Sequence, residues 1–168
     1  MHWVPAYVGL GSNLDGPAAQ VESALACLAD IARTRCILHS GFYASTPMGP
    51  ADQPEFVNAA AGLLTQLPAR ELLAELKRIE RAMGRVPPPV RWGPRRIDLD
   101  LLVYDSLKVV EPELTVPHPG IHERNFVLYP LADIAPALLI PGHGPVGELA
   151  RKLGSEGLRP LARAAGLR

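Results

Sequence analysis

Two aspartates, Asp98 and Asp100, lie within an otherwise apolar run from Ile97 to Val103. The odd-numbered positions of this run are all apolar, which predicts a strand with one face on a core. The two carboxylates then share the opposite face, about 6.6 Å apart along the strand. At an effective dielectric of about 20, charges at roughly that spacing repel by about 3 kcal/mol. The pair therefore indicates either a solvated strand face or a bound divalent cation, and carboxylate oxygens suit Mg²⁺ or Mn²⁺.

The segment before this strand is rich in groups that bind phosphate and flat rings. It contains Arg91, Arg95 and Arg96, and a turn at 93–94 follows Trp92. Arginine recognises phosphate through paired hydrogen bonds, and an indole ring offers a stacking surface. Next to two carboxylates, these residues predict a site for phosphate and metal with a flat ligand beside it.

The length and charge of the chain narrow the class of protein. We expect residues 1–168 to form a single domain with a substantial core. Lysine plus arginine and aspartate plus glutamate both number 17, so no overall field favours nucleic acid or an anionic membrane. Only two cysteines, no signal peptide and no apolar run of about 20 residues predict a cytoplasmic protein. We expect it to act as a monomer.

The order of apolar segments predicts the fold. Apolar runs indicate strands at 7–11, 36–43, 56–65 and 97–103, and helical stripes follow Pro17 and Pro68. The resulting order of strand, helix, strand, strand, helix, strand predicts an α+β fold: a ferredoxin-like (split βαβ), mainly antiparallel sheet flanked by helices.

Beyond this unit, the sequence predicts a β-hairpin and a helical C-terminal extension. The hairpin is expected near 105–110. Helices are expected over 124–134, interrupted at Pro130, and over 146–153. Residues 154–168 are expected to be peripheral.

Three polar residues in unusual positions have two interpretations each. Asn58, in an apolar strand, satisfies a neighbouring backbone group or presents its amide to a heteroaromatic ligand. Glu80, at the edge of a helical stripe, reaches water or points into a site beside Arg85. His118, shortly before Arg124, is either a structural loop histidine or a phosphate contact.

These residues also form ordered motifs typical of a known family. From about residue 7 to residue 141, the chain resembles the 6-hydroxymethyl-7,8-dihydropterin pyrophosphokinases of folate biosynthesis. The most specific part runs from Arg91-Trp92-Gly93-Pro94-Arg95 to Asp98-Leu99-Asp100. The other matching motifs are Gly11-Ser12-Asn13-Leu14, Phe42-Tyr43, Gly49-Pro50, Asp52-Gln53-Pro54 with Asn58, Arg78-Ile79-Glu80 with Gly84-Arg85, and Val116-Pro117-His118 with Arg124 and Phe126.

The resemblance implies an enzyme that transfers pyrophosphate from ATP to 6-hydroxymethyl-7,8-dihydropterin and releases AMP. Asp98 and Asp100 would hold two Mg²⁺ ions that bridge the ATP phosphates. Together with Arg85 and Arg95 they would be the catalytic residues. The implied ATP-binding residues are Glu80, Arg85, Arg95, Ile97, His118 and Arg124. The implied pterin-binding residues are Ser45, Thr46, Met48, Phe56, Asn58, Trp92 and Phe126.

Two other functions are compatible with parts of the pattern. A non-catalytic ferredoxin-like module could bind RNA or a protein partner. Zero net charge, the lack of paired aromatic residues on a strand and the acidic pair count against it. A metal-dependent phosphohydrolase could use the same carboxylates, and it would release phosphate from ATP without any pterin.

Overall fold

A mainly antiparallel sheet organises the protein, whose computed structural model describes residues 2–47, 53–84 and 96–162. The strands are β1 (Val4–Ser12), β2 (Thr34–His39), β3 (Tyr43–Ser45), β4 (Phe56–Thr65), β5 (Asp98–Tyr104), β6 (Val109–Val110), β7 (Thr115–Val116), β8 (Leu139–Ile140), β9 (Gly144–Pro145) and β10 (Leu158–Pro160). The helices are α1 (Pro17–Ala29), α2 (Ala69–Ala82), α3 (Asn125–Ile134) and α4 (Val146–Leu153). The main sheet has the order β10-β3-β4-β1-β5, and β2 and β3 pair with successive parts of β4.

Helices cover both faces of this sheet. One core cluster joins α1 and α2 to the sheet and includes Val8, Leu28 and Leu76. A second cluster lies on the other face, where Leu102 packs with Leu128 of α3 and with residues of α4. The predicted α+β class and the mainly antiparallel sheet are confirmed.

Strand β5 departs from the predicted alternation near its middle. Its register with β1 shifts by one residue between Leu101 and Val103. Leu99 and Leu101 belong to the cluster under α1 and α2, whereas Val103 belongs to the cluster under α3 and α4. The prediction that Val103 shares a face with Leu99 is wrong, because a β-bulge resets the period of two.

The predicted strand at 36–43 is divided into β2 and β3 by the side chain of Ser40. The Ser40 hydroxyl accepts a hydrogen bond from the backbone N–H of Ala60 at 2.9 Å and donates one to the carbonyl of Gly41 at 2.6 Å. This side chain therefore replaces a backbone partner at the point where the ladder with β4 is interrupted.

The C-terminal region also differs from expectation in two places. Helix α3 continues through Pro130, so the predicted interruption is wrong. Strand β10 pairs with β3, and Leu158 lies opposite Ser45, so residues 158–160 form an edge strand of the main sheet that was not predicted. Residues 163–168 lie outside the described part of the chain.

Two short hairpins complete the described structure. They are formed by β6 with β7 and by β8 with β9. Within the residues that the structure describes, none of the helices has the length and apolar character needed to span a bilayer.

Candidate active site

A pocket opens where β1, β4 and β5 lie side by side, on the sheet face covered by α3. Both predicted metal ligands, Asp98 and Asp100, line it. The other lining residues are Gly9, Leu10, Gly11, Ser45, Thr46, Phe56, Asn58, Ala59, Arg124, Phe126 and Val127. The structure therefore brings together residues that are up to 118 positions apart in the sequence, from Gly9 to Val127.

The acidic pair faces this pocket because of its place in the β5 ladder. Asp98 lies opposite Gly11 of β1, and Asp100 lies opposite Gly9. Leu99 between them is fully buried in the core, while both aspartates are partly exposed. A side chain at either glycine would crowd a neighbour: a Cβ at Gly9 would lie 3.3 Å from the Leu102 side chain, and one at Gly11 would lie 3.1 Å from Oδ1 of Asn58. These two glycines were missing from the predicted site, although glycine inside a strand often marks such a close approach.

Five predicted pterin-binding residues share this pocket: Ser45, Thr46, Phe56, Asn58 and Phe126. Asn58 and Ser45 are 5% and 4% exposed, and the Asn58 amide donates to the Ser45 hydroxyl at 2.6 Å. The side-chain amide oxygen of Asn58, Oδ1, lies near the position that a Gly11 side chain would occupy. Asn58 thus lines the pocket, which is compatible with the second of its interpretations, and the partner of its amide is a side-chain hydroxyl, whereas the first interpretation predicted a backbone group.

Arg124 and His118 lie toward the start of α3. Arg124 lines the pocket, and its guanidinium carbon is 6.0 Å from the centre of the Phe126 ring. His118 is not among the lining residues, but its charge state is coupled to Arg124. Burial, together with the charges of Arg124 and Lys77, lowers the pKa of His118 to about 4.

The neutral His118 ring has a defined orientation. Its Nδ1 atom accepts a hydrogen bond from the backbone N–H of Gly120 at 3.1 Å. A neutral imidazole that accepts at Nδ1 carries its proton on Nε2. His118 can therefore donate one hydrogen bond from Nε2 without carrying a positive charge.

Two predicted nucleotide contacts lie behind the pocket. The Ile97 side chain is fully buried in the cluster under α1 and α2. Glu80 is 3% exposed, and its Oε2 atom accepts a hydrogen bond from the backbone N–H of Leu99 at 2.7 Å. Neither residue is among those that line the pocket, so their contact with ATP stays a prediction.

Four predicted site residues fall outside the described part of the chain. They are Met48, Arg85, Trp92 and Arg95. Their predicted roles at the pterin and the phosphates therefore stay predictions.

The described residues contain no group of three or more histidine, cysteine, aspartate or glutamate side chains able to enclose a metal. Two carboxylates beside an open pocket nevertheless fit Mg²⁺. This ion keeps several waters and is usually bound by one or two carboxylates together with substrate phosphates. The donor set thus suits an ion that arrives with a nucleotide and does not suit a permanently enclosed metal.

Comparison with known proteins gives a consistent result. The family model for 7,8-dihydro-6-hydroxymethylpterin-pyrophosphokinase (HPPK) matches residues 7–136. A pyrophosphokinase of this type from Pseudomonas aeruginosa is 45% identical over 158 residues, covering 94% of this chain and 97% of the relative. The corresponding Haemophilus influenzae protein is 42% identical over 149 residues, covering 89% and 92%. Both relatives carry the name 2-amino-4-hydroxy-6-hydroxymethyldihydropteridine pyrophosphokinase.

Solved structures agree at the level of the fold. A crystal structure of Plasmodium falciparum HPPK-DHPS aligns with a TM-score of 0.70 at 15% identity, covering 89% of this chain and 44% of that one. This chain therefore spans less than half of that longer protein. From the family model and the relatives of similar length, we conclude that the chain belongs to the 7,8-dihydro-6-hydroxymethylpterin-pyrophosphokinase family.

Proposed function

We propose that the described pocket is where this protein transfers pyrophosphate from ATP to 6-hydroxymethyl-7,8-dihydropterin in folate biosynthesis. The products are AMP and the pterin diphosphate. One observation carries the proposal: the acidic pair Asp98 and Asp100 lines the same pocket as Asn58 and Phe126. Phosphate chemistry and recognition of a flat heterocycle are thus possible within one cavity.

Asp98 and Asp100 would hold two Mg²⁺ ions that accompany ATP. When bound, such ions neutralise charge on the attacking and leaving oxygens of a phosphoryl transfer. The two carboxylates themselves contribute position, because both project from one strand whose intervening residue is fixed in the core. Groups held in place before the reaction lower its barrier by positioning and by electrostatic stabilisation.

The pterin would bind at the end of the pocket that contains Asn58. A pterin edge offers hydrogen-bond donors and acceptors, and an amide can pair with both. Phe126 supplies an aromatic face on which the ring can stack. The Ser45 hydroxyl accepts a hydrogen bond from the Asn58 amide and so fixes its orientation. Thr46 and Phe56 also line the pocket. Met48 and Trp92 are proposed to close the same end.

The nucleotide would extend from the acidic pair toward Arg124 and His118. Arg124 offers a guanidinium group to phosphate oxygens. His118 offers a neutral donor at Nε2, which can bind a phosphate or ribose oxygen. Arg85 and Arg95 are proposed to neutralise charge that develops on the phosphates, and Glu80 and Ile97 are proposed to lie near the nucleotide.

The finer description of the fold is also a proposal. Strands β1 and β4 are adjacent and central, with β5 on one side and β2 and β3 on the other. This order, with α1 and α2 on one face, supports a ferredoxin-like split βαβ unit. We further propose that the chain acts in the cytoplasm as a single-domain monomer, with no nucleic-acid or membrane partner.

Product analysis tests the proposed function. Incubation with Mg²⁺, ATP and 6-hydroxymethyl-7,8-dihydropterin should give AMP in amounts equal to the pterin diphosphate. ADP as the product would contradict the proposal. Phosphate release without the pterin would instead indicate a phosphohydrolase.

Substitutions in β5 test the assignment of the two carboxylates. Asp98→Asn and Asp100→Asn should each lower kcat by at least about a hundredfold, since each removes a proposed metal ligand. Asp105→Asn is the matched control, because Asp105 is an exposed aspartate just beyond the other end of β5. The control should retain full activity. Retention of activity by either of the first two variants would contradict the metal assignment.

A further inference from the structure

We propose that Glu80 is a positioning residue that holds the Asp98–Asp100 segment in the geometry needed for metal binding. This inference rests on the proposed function, because it gives Glu80, proposed above to lie near the nucleotide, a specific role toward the two carboxylates. It is carried by one contact: Glu80 Oε2 accepts the backbone N–H of Leu99, the residue between the two aspartates, at 2.7 Å.

The sheet topology explains why this hydrogen bond is needed. Strand β5 is the last strand of the main sheet, so its outer edge has no neighbouring strand in the described structure. A buried backbone N–H without a partner is costly. Leu99 is fully buried, and the carboxylate of Glu80 on α2 supplies the acceptor that a further strand would otherwise provide.

The Glu80 carboxylate is itself held in position. It is 3% exposed, and its second oxygen, Oε1, lies 3.4 Å from the ammonium group of Lys77, one turn earlier on α2. Buried charges persist when their oxygens are paired, and a hydrogen bond to a charged acceptor is stronger than one between neutral groups. Helix α2 therefore presents a fixed acceptor to β5.

The contact lies where it can control both aspartates. Asp98 is the first residue of β5, and the ladder with β1 begins at this residue. Fixing the Leu99 N–H restricts the peptide plane between Asp98 and Leu99. The directions of the Asp98 and Asp100 side chains depend on the backbone on either side of Leu99. Substitution of a residue that orients a metal ligand typically costs about ten- to a hundredfold in metal affinity or activity.

Three substitutions of Glu80 separate this role from general packing. Glu80→Met keeps a similar volume and a good helix former but removes the acceptor. Glu80→Asp keeps the charge but withdraws the carboxylate by one C–C bond, roughly 1.5 Å. Glu80→Gln keeps an oxygen acceptor of the same length. Glu75→Met on the same helix is the matched control, because Glu75 pairs with Arg78 on the surface.

Two measurements on the folded full-length variants test the proposal. The first is Mn²⁺ affinity, measured by titration in the presence of a non-hydrolysable ATP analogue, so that no turnover is required. The second is hydrogen exchange at the Leu99 amide, followed by NMR. We expect Glu80→Met and Glu80→Asp to weaken Mn²⁺ binding by roughly tenfold and to accelerate Leu99 exchange. Glu80→Gln and Glu75→Met should resemble the wild type in both measurements.

Each result decides the question. Wild-type Mn²⁺ affinity in Glu80→Asp or Glu80→Met would overturn the proposal: with accelerated Leu99 exchange it would leave Glu80 a purely structural residue, and with unchanged exchange it would show that Glu80 does not hold the Leu99 amide. Equal loss of affinity in Glu80→Gln would overturn it as well, because the charge and not the hydrogen bond would then be responsible. If Glu80→Met fails to fold, Glu80→Asp still provides the test. Failure of the metal assignment is distinguishable, since Asp98→Asn would then bind Mn²⁺ like the wild type, and failure of the proposed reaction would appear in the product analysis.

Discussion

His118 makes the folded protein sensitive to acid in a way that can be measured. Its pKa falls from 6.5 to about 4 on folding, because the ring is buried beside the positive charges of Arg124 and Lys77. Between those two pH values the unfolded chain binds a proton at His118 and the folded protein does not. The free energy of unfolding therefore decreases as the pH falls from about 6.5 to about 4. Above about 6.5 His118 is neutral in both states, and no stability is lost to its protonation.

The size of this contribution follows from the two pKa values. At about 1.4 kcal/mol per pH unit, the difference between 6.5 and about 4 sets an upper limit near 3 kcal/mol. The ring is only partly buried, and solvent screening reduces the effect, so we expect about 2 kcal/mol. His118→Asn should remove this acid sensitivity, because asparagine can still accept the Gly120 N–H but does not titrate.

Denaturant unfolding of the wild type and of His118→Asn, at several values between about pH 7 and about pH 4, measures the effect. The difference in unfolding free energy between the two proteins should shift by about 2 kcal/mol in favour of the variant across this range. Other titrating groups contribute equally to both proteins and cancel. Parallel curves for the two proteins would refute the argument, as would an NMR titration that places the His118 pKa at 6 or above.

Two further predictions concern the pocket and the core. Gly11→Ala would place a methyl group 3.1 Å from the side-chain amide oxygen of Asn58. We expect the KM for the pterin to rise roughly tenfold in steady-state kinetics, with the KM for ATP unchanged. An unchanged pterin KM would show that Gly11 does not border the pterin. Thr65→Val removes a buried hydroxyl that lies 2.7 Å from the Thr34 hydroxyl and accepts the Leu67 N–H at 3.0 Å. It should lower the free energy of unfolding by about 2 kcal/mol with kcat unchanged, and a loss below about 0.5 kcal/mol would contradict the assigned bonds.

Local patterns predicted much of the site. The apolar and acidic alternation around Leu99 correctly predicted a strand with Asp98 and Asp100 on one face and Leu99 in a core on the other. Helix α4 coincides with its predicted range of 146–153. In these segments the spacing of apolar residues matches the face that is buried in the folded protein, so the spacing alone predicts the secondary structure.

The differences arise where distant segments decide the structure. The bulge in β5 depends on its register with β1, and the apolar run 101–103 shows only that the alternation ends, not where the side chains then point. The pairing of β10 with β3 joins positions more than a hundred residues apart, and residues such as Arg159 and Pro160 do not resemble a strand. Glu80 was recognised as unusual, but its partner is a backbone N–H on another element, which side-chain spacing cannot predict.

The central claim is that Asp98 and Asp100 bind the metal ions that accompany ATP. Crystals grown with Mn²⁺ and a non-hydrolysable ATP analogue, and measured for anomalous scattering, test it most directly. We predict anomalous peaks within coordination distance of both carboxylates, with the triphosphate beside them and the nucleotide extending toward Arg124. Well-ordered nucleotide with its Mn²⁺ bound elsewhere, and no peak beside either aspartate, would contradict the claim.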